Sequence, residues 1–193
     1  MKNKRTFFII ALAFVLLIGG ATVLYRQLGK NIAAEQLATQ STNQSDESAA
    51  GETEQKIKAP DFTVYDADGN EVHLADYIGK PIVLNFWASW CGPCQSEMPD
   101  FHEKYLELGD DVHFLMINMT DGARETVESA SAFIAKNGYA FPVFYDTKSD
   151  AASIYGAYSL PTTFFIDADG YAIAQATGAI DAETLQRGLD MIK

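Results

Sequence analysis

Two cysteines, Cys91 and Cys94, are the whole thiol content of this 193-residue chain, and they stand in the run Trp90-Cys91-Gly92-Pro93-Cys94. A disulfide between them closes a loop too small to restrict the unfolded chain much, so a scaffold role fits poorly. Two thiols cannot complete a four-ligand zinc site, and His73, His102 and His113 show no ligand spacing, so no metal is expected. What distinguishes the pair is its position. The apolar run Pro81 to Trp87 is short enough for a strand buried on both faces, and Gln95 to Leu108 has helical periodicity, with Met98, Phe101, Tyr105 and Leu108 on one side. A helix start offers unpaired N–H groups and a partial positive charge, which favour a thiolate at Cys91. Pro93 suits a first helical turn because it has no N–H to waste, whereas Pro99 should kink the helix it interrupts. Cys94 lies deeper in the turn. Cys91 is therefore expected to attack a substrate disulfide and Cys94 to resolve the intermediate.

The remaining pattern predicts an α/β layer fold. Phe62–Tyr65 and Glu71–Leu74 read as a hairpin around Asp68-Gly69, and Val112–Asn118 as a second buried strand. A helix is predicted over Glu125–Asn137, stopped by Gly138, then a short strand at Val143–Tyr145 and a helix around Ala151–Tyr155. Thr162–Ile166 and Tyr171–Thr177 form a second hairpin, and Asp181 caps a last helix over Ala182–Ile192.

Ahead of this pattern the chain changes character. Thr6 to Tyr25 holds twenty residues without a charge, enough for a helix of roughly 30 Å, the thickness of a bilayer core. Lys2, Lys4 and Arg5 are expected to stay in the cytoplasm and send the rest outward. A cleaved signal peptide is the competing reading; the length of the run and the lack of an A-x-A site favour a retained anchor. Asn31 to Lys56 is nearly free of aromatic and β-branched residues and reads as a flexible tether. The expected organisation is an anchor over 1–30, a linker over 31–56 and a folded domain over 57–193. Five of the 14 Lys and Arg lie in the first 30 residues, so beyond them nine face all 26 acids. A surface that acidic repels phosphates, and nucleic acid is not expected as a partner.

The run Gly79-Lys80-Pro81-Ile82-Val83-Leu84-Asn85-Phe86-Trp87-Ala88-Ser89-Trp90-Cys91-Gly92-Pro93-Cys94 resembles the thioredoxin superfamily. Asn85-Phe86-Trp87, Cys94-Gln95-Ser96-Glu97-Met98-Pro99 and Ser159-Leu160-Pro161-Thr162-Thr163-Phe164-Phe165-Ile166-Asp167 resemble its membrane-anchored TlpA/ResA branch, as do the N-terminal hairpin and the segment around Met119–Phe141. The likeness extends over about Ala59 to Ile192. It implies a thioredoxin-like fold: a central mixed sheet flanked by helices, with an N-terminal β-hairpin and a central insertion. It implies a cis Pro161 facing the cysteines, and Trp90 and Leu160 beside them to bind a substrate peptide; the residues alone show only a proline ahead of a strand. Cytoplasmic thioredoxins carry a buried aspartate where this chain has Asn85, which cannot titrate. The branch places a glutamate three residues after the second cysteine, here Glu97, one helical step from Cys94. Glu97 is thus expected to relay the proton of Cys94, against the plainer reading of an acid favoured by the helix dipole.

Rival chemistries fail on particular residues. A peroxiredoxin would carry proline and threonine where this chain has Leu84 and Ala88. A copper chaperone of the Sco type would want three residues between its cysteines and a late histidine, but the last one here is His113. An inert interaction domain would not need the intact pair. Gly92-Pro93 between the cysteines resembles reducing thioredoxins. The expectation is a reductase, without a cofactor other than its own disulfide, acting on exported proteins (apocytochrome c among them). A transmembrane donor of the CcdA or DsbD type would keep it reduced.

Overall fold

A computed structural model describes residues 37–39 and 56–193. The elements, in chain order, are β1 (Ala38–Thr39), β2 (Ile57–Lys58), β3 (Thr63–Tyr65), β4 (Glu71–His73), a 3₁₀ turn (Leu74–Tyr77), β5 (Ile82–Trp87), α1 (Gly92–Leu108), β6 (His113–Asn118), α2 (Val127–Asn137), β7 (Val143–Tyr145), α3 (Asp150–Tyr155), β8 (Thr162–Ile166), β9 (Tyr171–Thr177) and α4 (Ala182–Ile192). All strands join one mixed sheet in the order β1-β9-β8-β5-β6-β7-β3-β4, with β2 also on β9. β5, β6 and β7 run parallel; β8 pairs antiparallel with both β5 and β9.

β5 lies at the centre and is buried along its whole length. Because side chains alternate across a strand, Val83 and Trp87 enter one core with Met98 and Phe101 of α1 and Leu185 and Leu189 of α4. Ile82, Leu84 and Phe86 enter the other, with Phe62, Val64 and Leu74 from the N-terminal hairpin and Ala151 of α3. Asn85, fully buried, falls between Val83 and Trp87 and so faces α1. α4 comes close enough to the sheet that a Cβ added to Gly188 would overlap the ring of Phe165.

Helix ends follow local chemistry. α1 starts three residues earlier than periodicity predicts, because Cys91 itself is the N-cap and Pro93 occupies the first turn. The helix runs through Pro99, where the missing N–H leaves one rung of the ladder unmade. α2 starts two residues later than predicted: Thr126 accepts from Ser129 N–H and Ser129 Oγ accepts from Thr126 N–H, closing a capping box. Glu125 is thereby left off the helix and turned inward.

The predicted anchor over 1–30 lies outside the described residues. Among the described residues no helix is long and apolar enough to cross a membrane. Two pieces of the stretch read as tether belong to the folded unit. Ala38 and Thr39 pair with Gln175 and Ala174 of β9, Leu37 packs on the core, and Lys56 Nζ meets Asp167 Oδ2 at 3.0 Å. An open strand edge offers unpaired N–H and C=O groups to any nearby extended chain, so low hydrophobicity alone did not decide those residues.

Candidate active site

Cys91 and Cys94 are joined by a disulfide with Cα atoms 5.2 Å apart. Cys91 Sγ accepts from Cys94 N–H at 3.2 Å, the bond an N-cap makes to the first turn. Cys91 borders an open groove of about 560 Å³, whereas Cys94 is fully buried and contributes nothing to its wall. Trp90, Pro93, Met119, Tyr158 and Leu160 give the groove apolar walls. The Leu160–Pro161 peptide is cis, and Gly178 N–H donates to Pro161 O at 2.8 Å, tying the end of β9 to the start of β8. Of the residues singled out in the sequence, Trp90, Cys91 and Leu160 therefore meet at one surface, and Pro161 lies buried behind Leu160.

Glu97 is on the inner side of α1, 2% exposed and away from the groove. Its Oε1 accepts from Asn85 Nδ2 at 2.8 Å and its Oε2 from Ile180 N–H at 3.0 Å. Burial pushes its carboxyl up to about 7; the bonds from Ile180 and Asn85 oppose that rise, and Asp100 adds to it. Asn85 Nδ2 also donates to Thr163 Oγ1 at 3.0 Å, its register partner on β8. A glutamate placed only for the helix dipole would sit exposed in the first turn. This one is held on both oxygens, with a protonation change accessible near neutral pH.

A second buried carboxylate went unnoticed in the sequence. Glu125 is fully buried and accepts from Ser89 N–H at 2.9 Å, Ser89 Oγ–H at 2.7 Å and Asn118 Nδ2 at 2.7 Å. Thr120 Oγ1 donates to Asn118 Oδ1 at 2.7 Å, extending the network, and Gln95 Nε2 of α1 donates to Ser89 O at 2.6 Å. Ser89, two residues before Cys91, is thus held from both sides. Arg124, next to Glu125, lays its guanidinium 3.5 Å from the centre of the Trp90 ring. The signal was present in Thr126-x-x-Ser129: recognising that cap would have placed Glu125 outside the helix.

A disulfide pair capping a helix, its first cysteine at a groove and its second buried, with a buried acid three residues further along the same helix, on a thioredoxin-like sheet, defines a thiol–disulfide oxidoreductase. Comparison with known proteins agrees. The chain belongs to the AhpC/TSA family, whose profile matches residues 56–174. It is 37% identical over 136 residues to the thiol-disulfide oxidoreductase ResA of Geobacillus thermodenitrificans, covering 70% of this chain and 76% of that protein. It is 31% identical to ResA of Bacillus subtilis, covering 70% and 74%. Among solved structures, StoA from Bacillus subtilis superposes with a TM-score of 0.58 at 26% identity, over 70% of this chain and 99% of that one. A DsbF homologue from Corynebacterium diphtheriae gives 0.64 at 27% identity, over 79% and 98%.

Proposed function

We propose that the chain is a membrane-tethered reductase, held outside the cytoplasm by residues 6–25, that reduces disulfides of exported proteins, apocytochrome c among them. The observation that carries the direction of attack is the difference between the cysteines: Cys91, 5% exposed, borders the groove, and Cys94 is fully buried and does not. In the reduced enzyme the Cys91 thiolate attacks one sulfur of a substrate disulfide. That bond breaks, a substrate thiolate leaves, and a mixed disulfide forms. Cys94 then gives its proton to Glu97, whose carboxyl near 7 suits a base at neutral pH, and attacks Cys91 Sγ. The mixed disulfide breaks, the second substrate sulfur leaves as thiolate, and the enzyme is left as the Cys91–Cys94 disulfide. Two electrons have passed to the substrate, and a transmembrane dithiol donor of the CcdA or DsbD type returns them.

Trp90, Leu160 and Pro161 are assigned to substrate binding, with Leu160 offering its backbone to an extended peptide. Gly92-Pro93 supports the reducing direction, since reducing thioredoxins lie near about −270 mV and strong oxidants near about −120 mV. Equilibrating the chain against defined thiol buffers tests that direction. A potential toward the reducing end supports the reading; one near the strong oxidants overturns it. Membrane fractionation tests the anchor: the intact chain should pellet with membranes, and recovery of a mature form beginning near residue 25 in the medium would favour a cleaved signal peptide.

A further inference from the structure

Among the described residues Arg124 is the only cation lining the groove beside Cys91. Its guanidinium lies against the face of Trp90 at 3.5 Å, and no carboxylate of the described residues reaches it at ion-pair distance. Stacking on a ring uses the flat face of a guanidinium and leaves the N–H edges free. None of those donors makes a hydrogen bond within the described residues.

The position is built, not incidental to a mobile side chain. Asp121 Oδ1 accepts the backbone N–H groups of Ala123, Arg124 and Glu125 at 2.8, 2.7 and 2.9 Å, which fixes the turn carrying Arg124. The next residue, Glu125, is buried against Ser89 on the loop that carries Trp90. The Arg124–Trp90 stack is therefore clamped on both sides. Asp121 also borders the groove; its Oδ1 takes three N–H groups of its own loop, and its charge acts on Arg124 only from beyond ion-pair distance.

We infer that Arg124 reads the substrate: the groove takes disulfides whose cysteine is flanked by an acidic residue, its carboxylate held by the free edge of the guanidinium while an apolar neighbour lies along Trp90, Met119 and Leu160. A carboxylate offers two oxygens to the guanidinium fork, which a backbone carbonyl cannot match. The domain's overall acidity does not cancel this. Charges farther than about 8 Å are largely screened at physiological salt, so the local cation decides. This specificity rests on the disulfide-exchange reading above.

The test uses the reduced full chain and short peptides closed by an internal disulfide, alike except for Glu, Ala or Lys beside the cysteines. The ratio of kcat/KM for the Glu peptide to that for the Lys peptide is the readout, so a change in overall activity or folding cancels. We expect a ratio of roughly ten or more in the wild type, shrinking at high salt. It should approach one in Arg124→Gln and be intermediate in Arg124→Lys, which keeps the charge and loses the fork. Equal rates in the wild type, a ratio unchanged by Arg124→Gln, or a preference for the Lys peptide, which would make Asp121 the reader, would each overturn the inference. Failure of the wild type to reduce any of the peptides would sink disulfide reduction itself, and this specificity with it.

Discussion

Asn85 donates from Nδ2 to Glu97 Oε1 at 2.8 Å, joining the central strand to the cysteine-bearing helix through two buried polar side chains. An amide cannot take the proton, so the titration of this buried pair belongs to Glu97 alone. A carboxyl raised from 4.5 to about 7 binds its proton more tightly in the folded state than in the unfolded one. Its effect on stability has a definite sign. Below about 4.5 both states are protonated and Glu97 contributes no pH dependence. Between 4.5 and about 7 the unfolded chain loses its proton first, so stability falls as pH rises, by up to about 3 kcal/mol.

Glu97→Gln should remove that fall. Denaturant unfolding of the oxidised protein, compared with wild type at pH 4.5 and pH 7.5, measures it: the variant's advantage should grow with pH. In stopped-flow reduction of a disulfide peptide the same variant should slow the resolving step by up to about 10²-fold, since a general base is lost. Superimposable pH profiles would return Glu97 to a purely structural role.

Glu125→Ala should cost about 2–4 kcal/mol, because it leaves the half-buried Ser89 N–H and the buried Asn118 Nδ2 without their acceptor. Glu125→Gln should cost much less: its amide oxygen can still accept both bonds, and the Ser89 hydroxyl can turn to accept from the new NH₂. Chemical denaturation ranks the three proteins. Equal losses in the two variants would show that the charge, and not the hydrogen bonds, holds Ser89 in place.

These two acids show where sequence reading succeeds and where it stops. The strands β5, β8 and β9 and the α4 cap at Asp181 were legible because each rests on a local signal: an apolar run, a turn or a side-chain cap. The position of Cys91 and Cys94 at a helix start was legible for the same reason. The resemblance pointed to Glu97, yet nothing local indicated its bond to Ile180 N–H, which depends on a loop 83 residues away. Glu125 and Arg124 were missed because a helix-period count absorbed Glu125 into α2, and only tertiary folding brings Arg124 over Trp90. Composition predicts a tether over Leu37–Thr39 because it measures what a segment can bury, not whether an open strand edge lies within reach.

Gly188→Ala should destabilise the domain by about 1–3 kcal/mol, the usual cost of overpacking a filled core, because the added methyl meets the Phe165 ring. A lowered thermal midpoint that is recovered in Gly188→Ala/Phe165→Leu would confirm the clash. A midpoint unchanged by the single substitution would mean that α4 can ride up from β8 at little cost.

The division of labour between the two sulfurs is tested most directly by trapping. Cys94→Ser, presented with a disulfide peptide, should accumulate a covalent enzyme–peptide adduct at Cys91, visible by intact mass and released by added thiol. Cys91→Ser should form none, because Cys94, in the first turn of α1, is fully buried. Adduct formation in Cys91→Ser equal to or faster than in Cys94→Ser would contradict the assignment of Cys91 as the attacking group.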